Sequence, residues 1–191
     1  PLDEGLRAMK KNAVELPQFA MFSEDFRDGV KGSVFEDEGC GYVNGNAEEL
    51  SELMKSVISA GVFRSDVERP ESDCWTDTPQ QAVNYVEAHD DLTLFDKLRV
   101  SMPSASEEAC IAADKLAAAL VFLSQGIPFM QAGQELLRSK PAPDGGFVHD
   151  SYNSPDSVNG IKWNDVTIRR SVMEYYRGLI AIRKRIPEFR L

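Results

Sequence analysis

Three short apolar runs constrain what this chain can fold into: FAMF at 19–22, AVNYV at 82–86 and IPFMQAG at 127–133. Each reads as a buried strand, and stretches with helical periodicity separate them. After the first run, GNAEELSELMKSVISAG places Leu50, Leu53, Met54, Val57 and Ile58 on one stripe. Asn46 and Glu49 are spaced as a capping box there, and Gly61 supplies a left-handed stop. After the second run, a short helix is expected over 92–98. A longer one, rich in Ala and Leu, opens on a second capping box at Ser104 and Glu107 and runs to Ser124. The third run leads into a long polar segment, 138–166, and then a helix over about 167–186. Its stripe is Val172, Tyr176, Leu179, Ile182 and Ile186, and Arg183, Lys184 and Arg185 suit its negative end. Residues 5–15 predict another short helix. SEDFRDGVKG and residues 62–80, which hold Pro70 and Pro79, read as loops. Alternation in this order implies parallel strands joined by helical crossovers.

In such folds chemistry gathers at the C-terminal ends of the strands. Ser23 to Asp28 follow the first strand and Glu135 lies near the end of the third. The second strand runs into VNYVEAHDDLTLFDKL, where one of only two histidines, His89, stands beside Asp90 and Asp91. A strand end fixes the backbone of such a carboxylate while its side chain faces a cleft. The ordinary alternative is an aspartate-bonded histidine on a surface loop. A metal-bound His-Asp dyad would need further histidines, and only His149 remains, so no metal site is read here.

Composition excludes several other classes. The net charge of -10 repels phosphate backbones, so nucleic acid is not an expected partner. No apolar run approaches the ~20 residues of a membrane span, so no membrane partner is expected. Three dispersed cysteines with no CxxC fit neither a disulfide scaffold nor a zinc site. The chain opens on Pro1 without an initiator Met, which reads as a cut.

Four segments together carry a family resemblance. VNYVEAHDDLTLFDKL resembles the fourth signature region of the α-amylase superfamily, in the form used by type I pullulanases. LSQGIPFMQAGQELLRSK is similar to the eighth-strand motif of those enzymes. HDSYNSPDSVNGIKW resembles their substrate loop, and FAMFSEDFRDGVKGSVF their sixth-strand segment. The resemblance implies an α/β fold, a partial (β/α)8 TIM barrel comprising roughly strands 6 to 8 with their helices. Residues 1–191 would be the C-terminal portion of that catalytic domain. It implies a retaining hydrolase of α-1,6-glucosidic bonds, with pullulan, amylopectin and glycogen as α-glucan substrates and no cofactor. Such a parent enzyme, bacterial in type, would be cytoplasmic, secreted or held at the cell surface, a choice the sequence leaves open.

By the same resemblance Asp90 matches the carboxylate that stabilises the transition state, and His89 the histidine that grips a sugar hydroxyl. Asp91 replaces the usual Asn, and an ionised Asp accepts hydrogen bonds but cannot donate them. Arg138, Tyr152, Asp156 and Asn159 are candidates for substrate contact in the long loop. The nucleophile and general acid have no match, so the chain alone is expected to be inactive; three parallel strands do not close a barrel, so it is also expected to fold poorly alone or to self-associate. Glu135 reads as structural, Arg27 and Asp28 as a local ion pair, and Trp75 and Trp163 as buried or interface rings that could instead be sugar platforms. The competing reading is a non-catalytic carbohydrate-binding or interaction protein built on a half barrel.

Overall fold

The computed structural model describes residues 3–68 and 73–190. The three apolar runs pair as expected, in parallel and in the order β1 (Met21–Phe22), β2 (Ala82–Asn84), β3 (Ile127–Pro128). Met21 lies opposite Ala82, and Val83 opposite Ile127. The described residues do not form the expected partial barrel. The strands are two or three residues long, and helix supplies most of the regular structure. The reason is local. Ser23 still donates to Val83 O at 2.9 Å, but its side chain already accepts from Phe26 N and opens a helix. Pro128 has no N–H to extend the ladder. Gly126, at φ 98°, packs so closely that a Cβ would stand 2.9 Å from Ala82 O. The result is a small sheet under a helical layer.

Helix α1 (Glu24–Lys31) occupies the SEDFRDGVKG segment, which had been expected to be loop. Its polar surface hides Phe26 and Val30, four residues apart and both fully buried. Helix α2 (Ser51–Ile58) starts later than the expected cap. Residues 47–50 form turns, and the N-cap, Leu50, offers no side-chain bond, so the Asn46–Glu49 box does not form. Gly61 does take the left-handed stop, at φ 71°. Helix α3 (Leu94–Ser101) is capped by Thr93, and α4 (Glu107–Leu123) by Ser106 rather than Ser104. The 138–166 segment contains two single turns, α5 (Asp156–Asn159) and α6 (Asp165–Ile168), before the closing helix α7 (Arg170–Arg185). The expected helix over 5–15 is two 3-10 turns, Glu4–Leu6 and Lys10–Glu15. Pro79 opens another, and Pro70 lies outside the described residues.

The core sits between α1, α3, α4 and α7, where Val30, Leu94, Leu98, Ala117, Val121 and Tyr176 meet. The α4–α7 contact includes a buried polar chain. Gln134 Nε2 donates to Tyr176 Oη at 3.1 Å, and Tyr176 Oη donates to Asp114 Oδ1 at 2.8 Å. Asp114 is fully buried and its Oδ2 accepts no hydrogen bond. Burial therefore pushes its carboxyl from an ordinary value of 3.8 up to about 8. The folded chain holds this proton where the unfolded chain has released it. That contribution to stability is present below about pH 4 and is lost as pH rises through about 8. Asp114→Asn removes the titration, so it should flatten the fall in melting temperature between pH 5 and pH 8. Melts of both proteins across that range check this; parallel curves would show that Asp114 carries no such charge cost.

Candidate functional site

Strand β2 ends at Asn84, and the next residues turn over its C-terminal edge. Tyr85 joins Phe22 and Phe129, the residues at the ends of the other two strands. Phe22 lies edge-on to both, with ring centroids 4.7 Å from Tyr85 and 5.1 Å from Phe129. Tyr85 Oη accepts from Arg27 at 2.9 Å, and Arg27 also pairs with Asp28, at 2.6 Å, as expected of a local ion pair. The strand ends thus share an aromatic floor.

Beyond it, the chain submerges Glu87 and then surfaces. Glu87 Oε2 accepts from Leu94 N at 2.8 Å, joining the strand end to the first residue of α3. Residues 88–93 are the loop so closed. At its crest the side chains of His89 and Asp90 are 84% and 68% exposed, with Nε2 and Oδ1 3.4 Å apart. Asp91 takes the left-handed conformation, at φ 60°. Below, Lys140 Nζ donates to His89 O at 2.9 Å and to Asp91 O at 3.3 Å. The turn is therefore polar and solvent-facing on a buried ionic base.

That base was not foreseen. Glu87, Lys31, Asp96, Lys97 and Lys140 are all at most 2% exposed. Burial raises Glu87 and lowers Lys31, while each charge partly offsets the shift of the other. Burial also lowers Lys140, against the opposing pull of Glu87, Asp96 and Asp90. Lys97 Nζ is held by the carbonyls of Ser33, Glu36 and Asp37. One signal was available in the sequence: Glu87 interrupts the apolar YV-EA stretch just before the histidine.

The other predicted residues fall into separate groups. Arg138 Nη2 donates to Asn159 O at 2.6 Å, and Asn159 Nδ2 donates to Ser154 O at 3.2 Å. Both side chains thus brace the 138–166 loop. Arg138 also lines a cleft of about 360 Å³ with Phe95, Arg99, Leu137, Phe147 and Lys162, which does not include the His89–Asp91 turn. Tyr152, 78% exposed, and Asp156 stand out from the same loop. Glu135 accepts from Gly133 N at 3.0 Å, within its own turn. Trp163 is 72% exposed, and Trp75 lies under Lys10, whose Nζ is 5.1 Å from the ring centre. No group of three or more His, Cys, Asp or Glu side chains able to hold a metal ion occurs among the described residues. No helix among them is long and apolar enough to cross a membrane.

No family model matches the chain. Whole-chain similarity is nevertheless clear. A pullulanase of Bacillus subtilis (strain 168) is 34% identical over 192 residues, covering 100% of this chain and 25% of that protein. A solved pullulanase of Paenibacillus barengoltzii, in complex with maltohexaose and α-cyclodextrin, superposes with a TM-score of 0.90 at 39% identity, covering 100% of this chain and 28% of that one. A pullulanase of Anoxybacillus sp. LM18-11, complexed with maltotriose, gives 0.88 at 37% identity, covering 100% and 25%. The chain is a pullulanase-related sequence that matches those enzymes from end to end while spanning about a quarter of their length.

Proposed function

We propose that this chain is a segment of a retaining glycoside hydrolase that cleaves α-1,6-glucosidic bonds in pullulan, branched starch or glycogen. The observation that carries the reading is the exposed His89–Asp90 pair at the C-terminal edge of β2, in a chain similar to pullulanases throughout. In this reading Asp90 stabilises the oxocarbenium-like transition state and His89 hydrogen-bonds a sugar hydroxyl. Asp91, Tyr152 and Asp156 supply further polar contacts, while Arg138 and Asn159 shape the loop that bears them. A retaining mechanism needs a nucleophile and a general acid on opposite sides of the bond. Glu135 is engaged in its own turn and fills neither role. Both groups are assigned to parts of a full-length enzyme outside this segment.

Two measurements test the proposal. A full-length enzyme carrying this segment should release reducing ends from pullulan. The 191-residue chain alone should not, and should associate in solution. Edge strands β1 and β3 leave backbone groups unpaired, and Phe19, Phe22 and Ile127 beside them are 55%, 43% and 42% exposed. Size-exclusion chromatography with light scattering on the assayed sample gives its state. A monomer that hydrolyses pullulan would overturn the assignment of roles, and an inactive full-length enzyme would leave a non-catalytic carbohydrate-binding role instead.

A further inference from the structure

One buried cation holds the turn that bears His89 and Asp90. Lys140 Nζ reaches a carbonyl on each side of Asp90, those of His89 and Asp91. Asp91, between them and the helix, is at φ 60°, a conformation that costs a non-glycine residue of order 1 kcal/mol unless its surroundings enforce it. The lysine is itself placed from two sides. Its backbone N–H donates to Asp96 Oδ2 at 2.7 Å, which anchors it to α3, and its side chain is only 2% exposed. Glu87 closes the loop around the ammonium by accepting from Leu94 N. An ammonium has three donors in a compact head, so it can serve two diverging carbonyls.

We infer that Lys140 is a positioning residue of the glucan-cleaving site, setting the left-handed turn that aims Asp90 and His89 without touching the sugar itself. This rests on the proposed role of Asp90. With the ammonium gone, Asp91 relaxes towards negative φ and rotates the peptide that joins it to Asp90. A misplacement of about 1 Å costs on the order of a hundredfold in rate.

The test is a double-mutant cycle in a full-length enzyme carrying this segment, assayed on pullulan per folded molecule. Lys140→Met should lower kcat by about ten- to a hundredfold, with a much smaller change in KM. Glycine takes φ 60° without strain. In an Asp91→Gly background the same Lys140 substitution should therefore cost no more than about threefold, a coupling that simple loss of packing does not produce. Equal losses in the two backgrounds, or an effect on melting temperature alone, would overturn the inference. If Lys140→Met does not fold, Lys140→Gln is read in the same two backgrounds by the same criterion. Asp90→Asn is measured beside them. If it keeps activity within tenfold of wild type, both readings fall; if it is inactive while the losses are equal, only the Lys140 inference fails.

Discussion

Asp90→Asn in a full-length enzyme carrying this segment is expected to lower kcat on pullulan by roughly a hundredfold to a thousandfold, while leaving the fold intact. The side chain is 68% exposed at the crest of its turn, so neither its charge nor its shape is needed for packing. In the proposed mechanism, what the substitution removes is a negative charge aimed at the place where positive charge develops. Preorganised groups of this kind typically contribute ~3 kcal/mol or more to the transition state. Binding of a maltooligosaccharide should weaken much less than turnover, because the amide keeps the same volume and one acceptor. Steady-state kinetics, titration with maltotriose and a thermal melt separate these effects. An unchanged kcat with weakened binding would reassign Asp90 as a ground-state contact.

The largest loss of stability is expected at Arg183. It lies within the last turn of α7 yet is only 7% exposed. Its guanidinium donates to Phe122 O at 2.9 Å, to Ser124 O at 2.6 Å and to Gly126 O. These carbonyls lie at and just past the C-terminal end of α4, where helix geometry leaves acceptors unmet and the dipole is negative. Arg183→Met leaves them buried without that donor, at a cost of roughly 3–5 kcal/mol. For a domain of this size that lowers the melting temperature by roughly 10 °C. Arg183→Lys should recover only part of the loss, because an ammonium lacks the planar fork. Lys184→Met is the control. Its side chain is exposed, so the change should stay within about 0.5 kcal/mol. Equal shifts at 183 and 184 would mean that the carbonyl contacts carry no weight.

These two residues also mark what the sequence made legible. His89, Asp90 and Asp91 could be located because a strand-like run ends just before them. The run of Arg183, Lys184 and Arg185 was legible only as a charge pattern, in which the three residues are equivalent. Packing of α7 on α4 is what singles out the first. The same limit applies to Lys31, Lys97 and Lys140, residue types that composition alone assigns to the surface. The burial of Lys97 and Lys140 depends on carbonyls and carboxylates brought from 44 to 64 positions away. The alternation of strands and helices predicted parallel pairing, which the structure has. It did not determine strand length. A serine that caps a helix, a proline and a tightly packed glycine cut the strands short, and the expected barrel segment gave way to a small sheet under helices. Helix starts were misplaced where two caps competed. Ser104 and Ser106 both stand before acidic residues, and only the bond from Ala109 N to Ser106 Oγ distinguishes them.

The contact between Lys140 and the turn spans 51 positions to His89 and 49 to Asp91. On a ribosome adding roughly 5–20 residues per second, that separation is a delay of roughly 3–10 s. Throughout it the His89–Asp91 segment has been synthesised but its ammonium has not. Helix α3, capped by its own Thr93, needs nothing from later in the chain for its first turn. Under the proposed role of Lys140, the turn bearing His89 and Asp90 is therefore set only once Lys140 has been added, and α7, which completes the core, follows later still. In that reading it is the alignment for catalysis, not sugar binding, that is timed by the arrival of a lysine rather than of the histidine and aspartate themselves.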